Sequence, residues 1–236
     1  MKINVHRSNS RGISNHGWLN SHHTYSFASY QNPERMSFGA LRVINDDVVQ
    51  PGMGFGTHSH ENMEIISIPL DGSLQHKDSM GNQHVIESGE VQIMSAGTGI
   101  SHSEYNHSAT DVVSFLQIWL LPKQLNIEPR YEQKRFDKEK RKDQFQLIVS
   151  PDGRQDSLSI NQDAYFSLVE FAESLLINYS FYREGNGIYI FVMTGSVTIN
   201  NICLSERDGA EITNTSNLEL NARKGTQLLC MEIPIK

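Results

Sequence analysis

Apolar residues along this chain come in short runs or in strict alternation with polar ones, and almost nowhere at the helical period. From residue 38 onward such runs recur, broken by Gly, Asn, Asp and Ser, which is the pattern of an all-β sandwich or barrel. It predicts strands over Ser37–Ile44, Met63–Leu70, Gln83–Ile86, Val91–Ser95 and Val112–Trp119. Val43–Gln50 and the glycine-rich Pro51–Gly56 read as a strand and a turn leading into a further strand at His58. Asp71-Gly72 and Gly81-Asn82 are turn dipeptides. The run Gln133–Gln144 has almost no apolar side chain and mixes both charges, so it reads as a solvated connector. The expected domains are therefore 1–132, and 133–236 with the connector at its start. Strand signals resume over Gln146–Val149, Ala164–Phe171, Leu175–Phe181, Ile188–Thr194, Ser196–Ile199 and Gln227–Ile233. The halves share a character without a visible repeat.

Bulk properties narrow the classes. Hydrophobic residues make up 38% of the 236 and charged residues 20%, the balance of an ordinary globular chain. A net charge of −7 argues against gripping nucleic acid, which needs a basic surface. The start, MKINVHRSNSRG, has no apolar stretch behind its basic residues, so no secretory signal is expected. No apolar run approaches the roughly 20 residues that span a bilayer, so no membrane role is expected. Cys203 and Cys230 have no motif spacing and read as buried thiols of a reducing compartment, with the cytoplasm as the expected location.

The histidines change the picture. All 10 lie at or before residue 107. Two local groups stand out, Thr57-His58-Ser59-His60 and Ser101-His102-Ser103-Glu104. In a strand, residues i and i+2 share a face, so His58 pairs with His60 and His102 with Glu104, while Ser59 and Ser103 point away. If the two strands lie close together, three imidazoles and a carboxylate converge. That set suits one first-row divalent ion such as Fe, Ni, Cu, Mn or Zn. Glu64 has the same parity as His58 and His60 and stands as a rival ligand or as a partner that orients an imidazole. His76 and His84 flank a hairpin turn and are expected in solvent. His22 and His23 read as structural, and His107 as an ordinary surface residue. Gln117, a lone polar residue in Phe115–Leu121, either points into a cavity or bonds to backbone. Nucleophile elbow, phosphate loop and dinucleotide fingerprint are absent.

Gly52-x5-His58-x-His60-x3-Glu64 resembles the first half of the cupin motif, and Gly89-x5-Ser95-x-Gly97 followed by His102-x3-Asn106 resembles the second. A Ser replaces the usual Pro, and the gap before His102 is longer than usual. With those departures the chain resembles the pirin family, in Gly54–His60, Gln92–Glu104, Asp78–Asn82, Gln117–Trp119 and Pro129–Glu132. The resemblance is dense over about residues 15–135 and looser afterwards. It implies a bicupin of two facing jelly-roll barrels, with metal in the first only. It also implies Glu104 as the fourth ligand. The activity implied is that of a quercetin 2,3-dioxygenase, an oxidoreductase that cleaves a flavonol with O2 and releases CO. Glu104 is then the candidate general base for the flavonol hydroxyl. The competing expectation is a non-enzymatic metal or redox sensor, a transcription-cofactor-like module with a protein partner. A third is a metal that only stabilises the barrel. A monomer is expected.

Overall fold

The computed structural model describes residues 1–235. Strands dominate it, as the period-2 patterning requires, and only short 3-10 turns interrupt them. Among the described residues no helix is long and apolar enough to cross a membrane.

The chain forms two compact units. One comprises Gly12–Phe136 and Ile160–Gln162; the other comprises Met1–Arg11, Asp137–Ser159 and the described residues from Asp163 onward. These bounds differ from a division at 132/133 in two places. The opening strand β1 (Lys2–His6) is part of the second unit, and the first unit runs on to Phe136 and takes in Ile160–Gln162.

The first unit carries β2 (Gly12–Asn15), β3 (Leu19–His23), β4 (Leu41–Val49), β5 (Gly54–His60), β6 (Glu64–Asp71), β7 (Ser73–Asp78), β8 (Gln83–Glu87), β9 (Glu90–Ser95), β10 (Ile100–Asn106), β11 (Val113–Leu120) and β12 (Arg130–Arg135). The expected connector thus begins inside a strand, because Arg130–Arg135 pairs along β9 with its charged residues on an edge. A seven-stranded sheet runs β12-β9-β6-β11-β4-β3-β2, and a four-stranded sheet runs β5-β10-β7-β8. The result is a jelly-roll sandwich rather than a closed barrel.

The interior between the two sheets is layered. Ile65, Met94, Ala96 and Ile100 cluster at one level, and Leu19, Val49, Leu74, Ile86, Val113 and Phe115 at another. Between them His23, Asn45, Gln117, Ser67, Gln92 and Gln133 stand in direct register on β3, β4, β11, β6, β9 and β12. A polar belt therefore crosses the sheet between two apolar levels.

The second unit repeats the architecture with β13 (Gln146–Ser150), β14 (Leu158–Ser159), β15 (Tyr165–Glu170), β16 (Leu175–Ser180), β17 (Asn186–Thr194), β18 (Ser196–Ile199), β19 (Ile202–Ser205), β20 (Gly209–Thr213), β21 (Asn217–Ala222) and β22 (Gln227–Pro234). Its sheets run β1-β20-β17-β22-β15-β13-β14 and β16-β21-β18-β19. Its interior holds an apolar cluster that includes Ile188, Ile190, Val192, Ala210, Leu228 and Cys230.

Candidate metal centre

Strand pairing places the two histidine groups side by side. β5 and β10 run antiparallel with His58 opposite His102 and His60 opposite Ile100. The register shifts between His102 and Glu104: Gly56 and Thr57 together stand opposite Ser103, a β-bulge. This extra residue lets Phe55 and His58, of opposite parity, both line the interior cavity. Gly54 is required at the start of the pair, because a Cβ there would collide with the Glu104 carbonyl and the Tyr105 backbone. Ser59 points away as expected and hydrogen-bonds Ser101 at 2.7 Å on the exposed side.

The three imidazoles converge. Ligand nitrogens of His58, His60 and His102 all lie within 4.8 Å of one another, and the rings are 4.5–4.9 Å apart. His58 Nδ1 donates to the Gly56 carbonyl at 2.8 Å, which leaves Nε2 as the free lone pair. His60 Nε2 and both nitrogens of His102 are buried without a hydrogen-bond partner. Burial, reinforced by the neighbouring imidazoles, pushes His60 down to about 4 and His102 down to about 3. Both rings are therefore neutral at pH 7, the protonation state in which an imidazole binds a metal. Buried, neutral, unpartnered nitrogens aimed at one another fit a first-row divalent ion and little else.

Glu104 is buried on the next inward position of β10. Its Oε2 accepts from Gln117 Nε2 at 2.6 Å and its Oε1 from Ser67 Oγ at 3.1 Å, so the middle of the polar belt holds the carboxylate in place. Gln117 thus points inward. By ligand-atom distance Glu104 groups with His102 and His76. His76 is fully buried, not in solvent as the hairpin position suggested. Its Nε2 lies 3.1 Å from Asp78 Oδ2, and Asp78 in turn accepts from Met80 N, Asn82 N and the Asn82 side chain. The turn Asp78–Asn82 therefore fixes this ring, whose Nδ1 has no partner. His84 is exposed and stacks on Tyr131 at 5.3 Å.

Glu64 lies outside both groups. β5 ends at His60 and β6 opens at Glu64 in the other sheet, so parity does not carry across the intervening turn. Its Oε2 accepts from Ser95 at 2.8 Å and from the Asn161 backbone at 3.2 Å. It is a buried anchor for the 160–162 segment. His107 is exposed.

A cavity of about 350 Å³ opens from this centre, lined by His58, His60, Glu104 and Gln117. Trp18, Phe27, Phe55 and Trp119 supply aromatic walls, and Trp119 packs edge-on to His60 at 4.9 Å. His23 also lines it, bonded to Asn45 at 2.8 Å and Ser14 at 3.0 Å, so its role is not only structural. Sequence reasoning missed His76, Asn45, Asp47, Ser67 and Gln92. The lone polar residues in Glu64–Leu70 and Val91–Ser95 were the available signal, since each sits at inward parity among apolar neighbours.

Residues 4–120 match the family model described as Pirin, and residues 147–233 match the one described as Quercetinase C-terminal cupin domain. The chain is 45% identical over 235 residues to the quercetin 2,3-dioxygenase of Escherichia coli (strain K12), covering 98% of this chain and 99% of that protein. It is 36% identical over 222 residues to a pirin-like protein of Caulobacter vibrioides, covering 94% and 95% of the two. Among solved structures, bacterial pirin YhhW from Escherichia coli in complex with nickel(II) aligns with a TM-score of 0.94 at 42% identity over 100% of both chains.

Proposed function

This chain belongs to the pirin family, and from that premise we propose that it is a metal-dependent quercetin 2,3-dioxygenase, an oxidoreductase that opens flavonols such as quercetin with O2 and releases CO. The observation that carries this reading is the convergence of three imidazoles beside an aromatic-lined cavity, with the buried ring nitrogens of His60 and His102 left without a hydrogen-bond partner. The proposed ligands are His58, His60, His102 and Glu104, and the relative's complex with nickel(II) makes that ion the first to test. When bound, a divalent ion supplies the Lewis acidity that eases deprotonation of the flavonol hydroxyl.

The remaining work falls to the chain. Trp18, Phe27, Phe55 and Trp119 offer flat apolar faces to a flat polyphenol and keep water from the reacting ring. The Glu104 carboxylate is the proposed base for the flavonol hydroxyl proton, taken up at one of its oxygens. Gln117 and Ser67 hold that carboxylate, so it does not reorient as it changes charge. Both atoms of O2 end in the opened product, and one carbon leaves as CO. The proposed compartment is the cytoplasm, where free thiols stay reduced: Cys230 is buried as expected, whereas Cys203 is exposed on β19.

The test is to strip the protein with a chelator, reload it with nickel(II), and follow quercetin loss together with CO release. Turnover is expected only after loading. Glu104→Gln should lower kcat by about 100-fold or more, the range expected when a general base is lost, and His58→Ala should lose the metal as well. Turnover that survives both substitutions would refute the reading.

A further inference from the structure

Part of the cavity wall takes no part in the metal centre. Strands β2, β3 and β4 bring Ser14, Ser21, His23, Asn45 and Asp47 to it. Most of these groups are tied to one another: His23 bonds Asn45 through Nδ1 and Ser14 through Nε2. Asp47 is different. It is 2% exposed, yet its Oδ1 has no hydrogen-bond partner. The Ser21 hydroxyl donates to the carboxyl, and the other charged groups that act on it, Asp46 and Glu104, are acids. A buried carboxyl with one idle oxygen and acidic neighbours is unfavourable unless something else satisfies it. Such a group at a cavity wall is better explained by a ligand than by stability.

We propose that Asp47 is a substrate-recognition group, whose carboxyl accepts a hydrogen bond from a phenolic hydroxyl of the bound polyphenol. This rests on the flavonol reading above. The hydroxyl concerned is not the one carried to the histidines, because Asp47 belongs to neither ligand cluster. A phenol is a strong donor with no charge to bury, so it satisfies Oδ1 without bringing a second ion into an apolar cavity. The aromatic walls fix the plane of the ring system, and the Asp47 carboxyl then selects where its hydroxyls fall. Asp47 therefore sets specificity between hydroxylated and bare flavonols.

The experiment compares two probes on nickel-loaded protein without O2: quercetin, and 3-hydroxyflavone, which carries the heterocycle hydroxyl alone. Trp18 and Trp119 line the cavity, so quenching of tryptophan fluorescence reads binding directly. Asp47→Leu should weaken quercetin by about tenfold or more, as loss of a hydrogen bond that leaves a buried donor unpaired does, and leave 3-hydroxyflavone within about twofold. Asp47→Asn keeps one acceptor oxygen and should show a smaller loss of the same selectivity, so the test stands even if the leucine variant fails to fold. Equal affinity for quercetin in the asparagine variant and wild type, or equal losses for both probes at wild-type nickel content, would overturn the assignment alone. A wild-type protein that binds neither probe overturns the dioxygenase reading and this assignment with it.

Discussion

Histidines and a buried acid of the first unit respond to burial in opposite senses. His60 and His102 are driven down to about 4 and about 3 from 6.5, so the unfolded chain binds protons first as the pH falls. Their contribution to stability is full above pH 6.5 and is lost as the pH falls through 4 and 3. Asp47 is raised to about 7 from 3.8 by burial, with Asp46 and Glu104 adding to it. Its contribution is full below pH 3.8 and is lost as the pH rises through 7. In the metal-free protein the two trends oppose each other between about pH 4 and 6.5. Asp47→Asn removes one of them, so stability should climb more steeply with pH in that variant than in wild type, by at most about 1.4 kcal/mol per pH unit for one proton. Urea midpoints measured across that range check this; parallel curves would show that Asp47 does not hold its proton on folding.

At the scale of elements, the site depends on how β5 and β10 meet. Alternation alone placed His58 with His60 and His102 with Glu104 on shared faces, and both pairs lie inside. It did not foresee the bulge at Gly56 and Thr57, because a bulge is a feature of pairing between strands rather than of one strand's pattern. Extending parity from His60 to Glu64 failed for the same kind of reason: the chain changes sheets between them. At Gly54 a side chain would run into the backbone of Glu104 and Tyr105. Gly54→Val should cost about 1–3 kcal/mol, as overpacking a tight contact does, and should lower nickel affinity through displacement of Glu104. Denaturant titration and chelator competition measure the two effects. A variant that loses neither would mean that the strands can separate there without disturbing the carboxylate.

Across the whole molecule, two units of one architecture differ in what lies between their sheets. The first has a polar belt in register from His23 to Gln133; the second has an apolar cluster around Ile190 and Cys230. Among the described residues both potential ligand clusters fall in the first unit. Nickel should therefore bind at one equivalent per chain by elemental analysis. Hydrogen exchange should slow on loading in β5 and β10 while Asn186–Thr194 and Gln227–Pro234 stay unchanged. A second equivalent bound with similar affinity would contradict this.

By itself the sequence determined the all-β class, the inward faces of the short strands and the histidine trio. Each follows from a period of two and from residue types within a few positions of one another. Only the tertiary structure decided that Glu64 lies apart from both ligand clusters, that His76 is buried beside His102 and Glu104, that β1 completes the second unit's sheet, and that Asp47 borders the cavity. These depend on register between strands far apart in the chain. Register is fixed by the joint packing of two sheets, a quantity no local pattern contains.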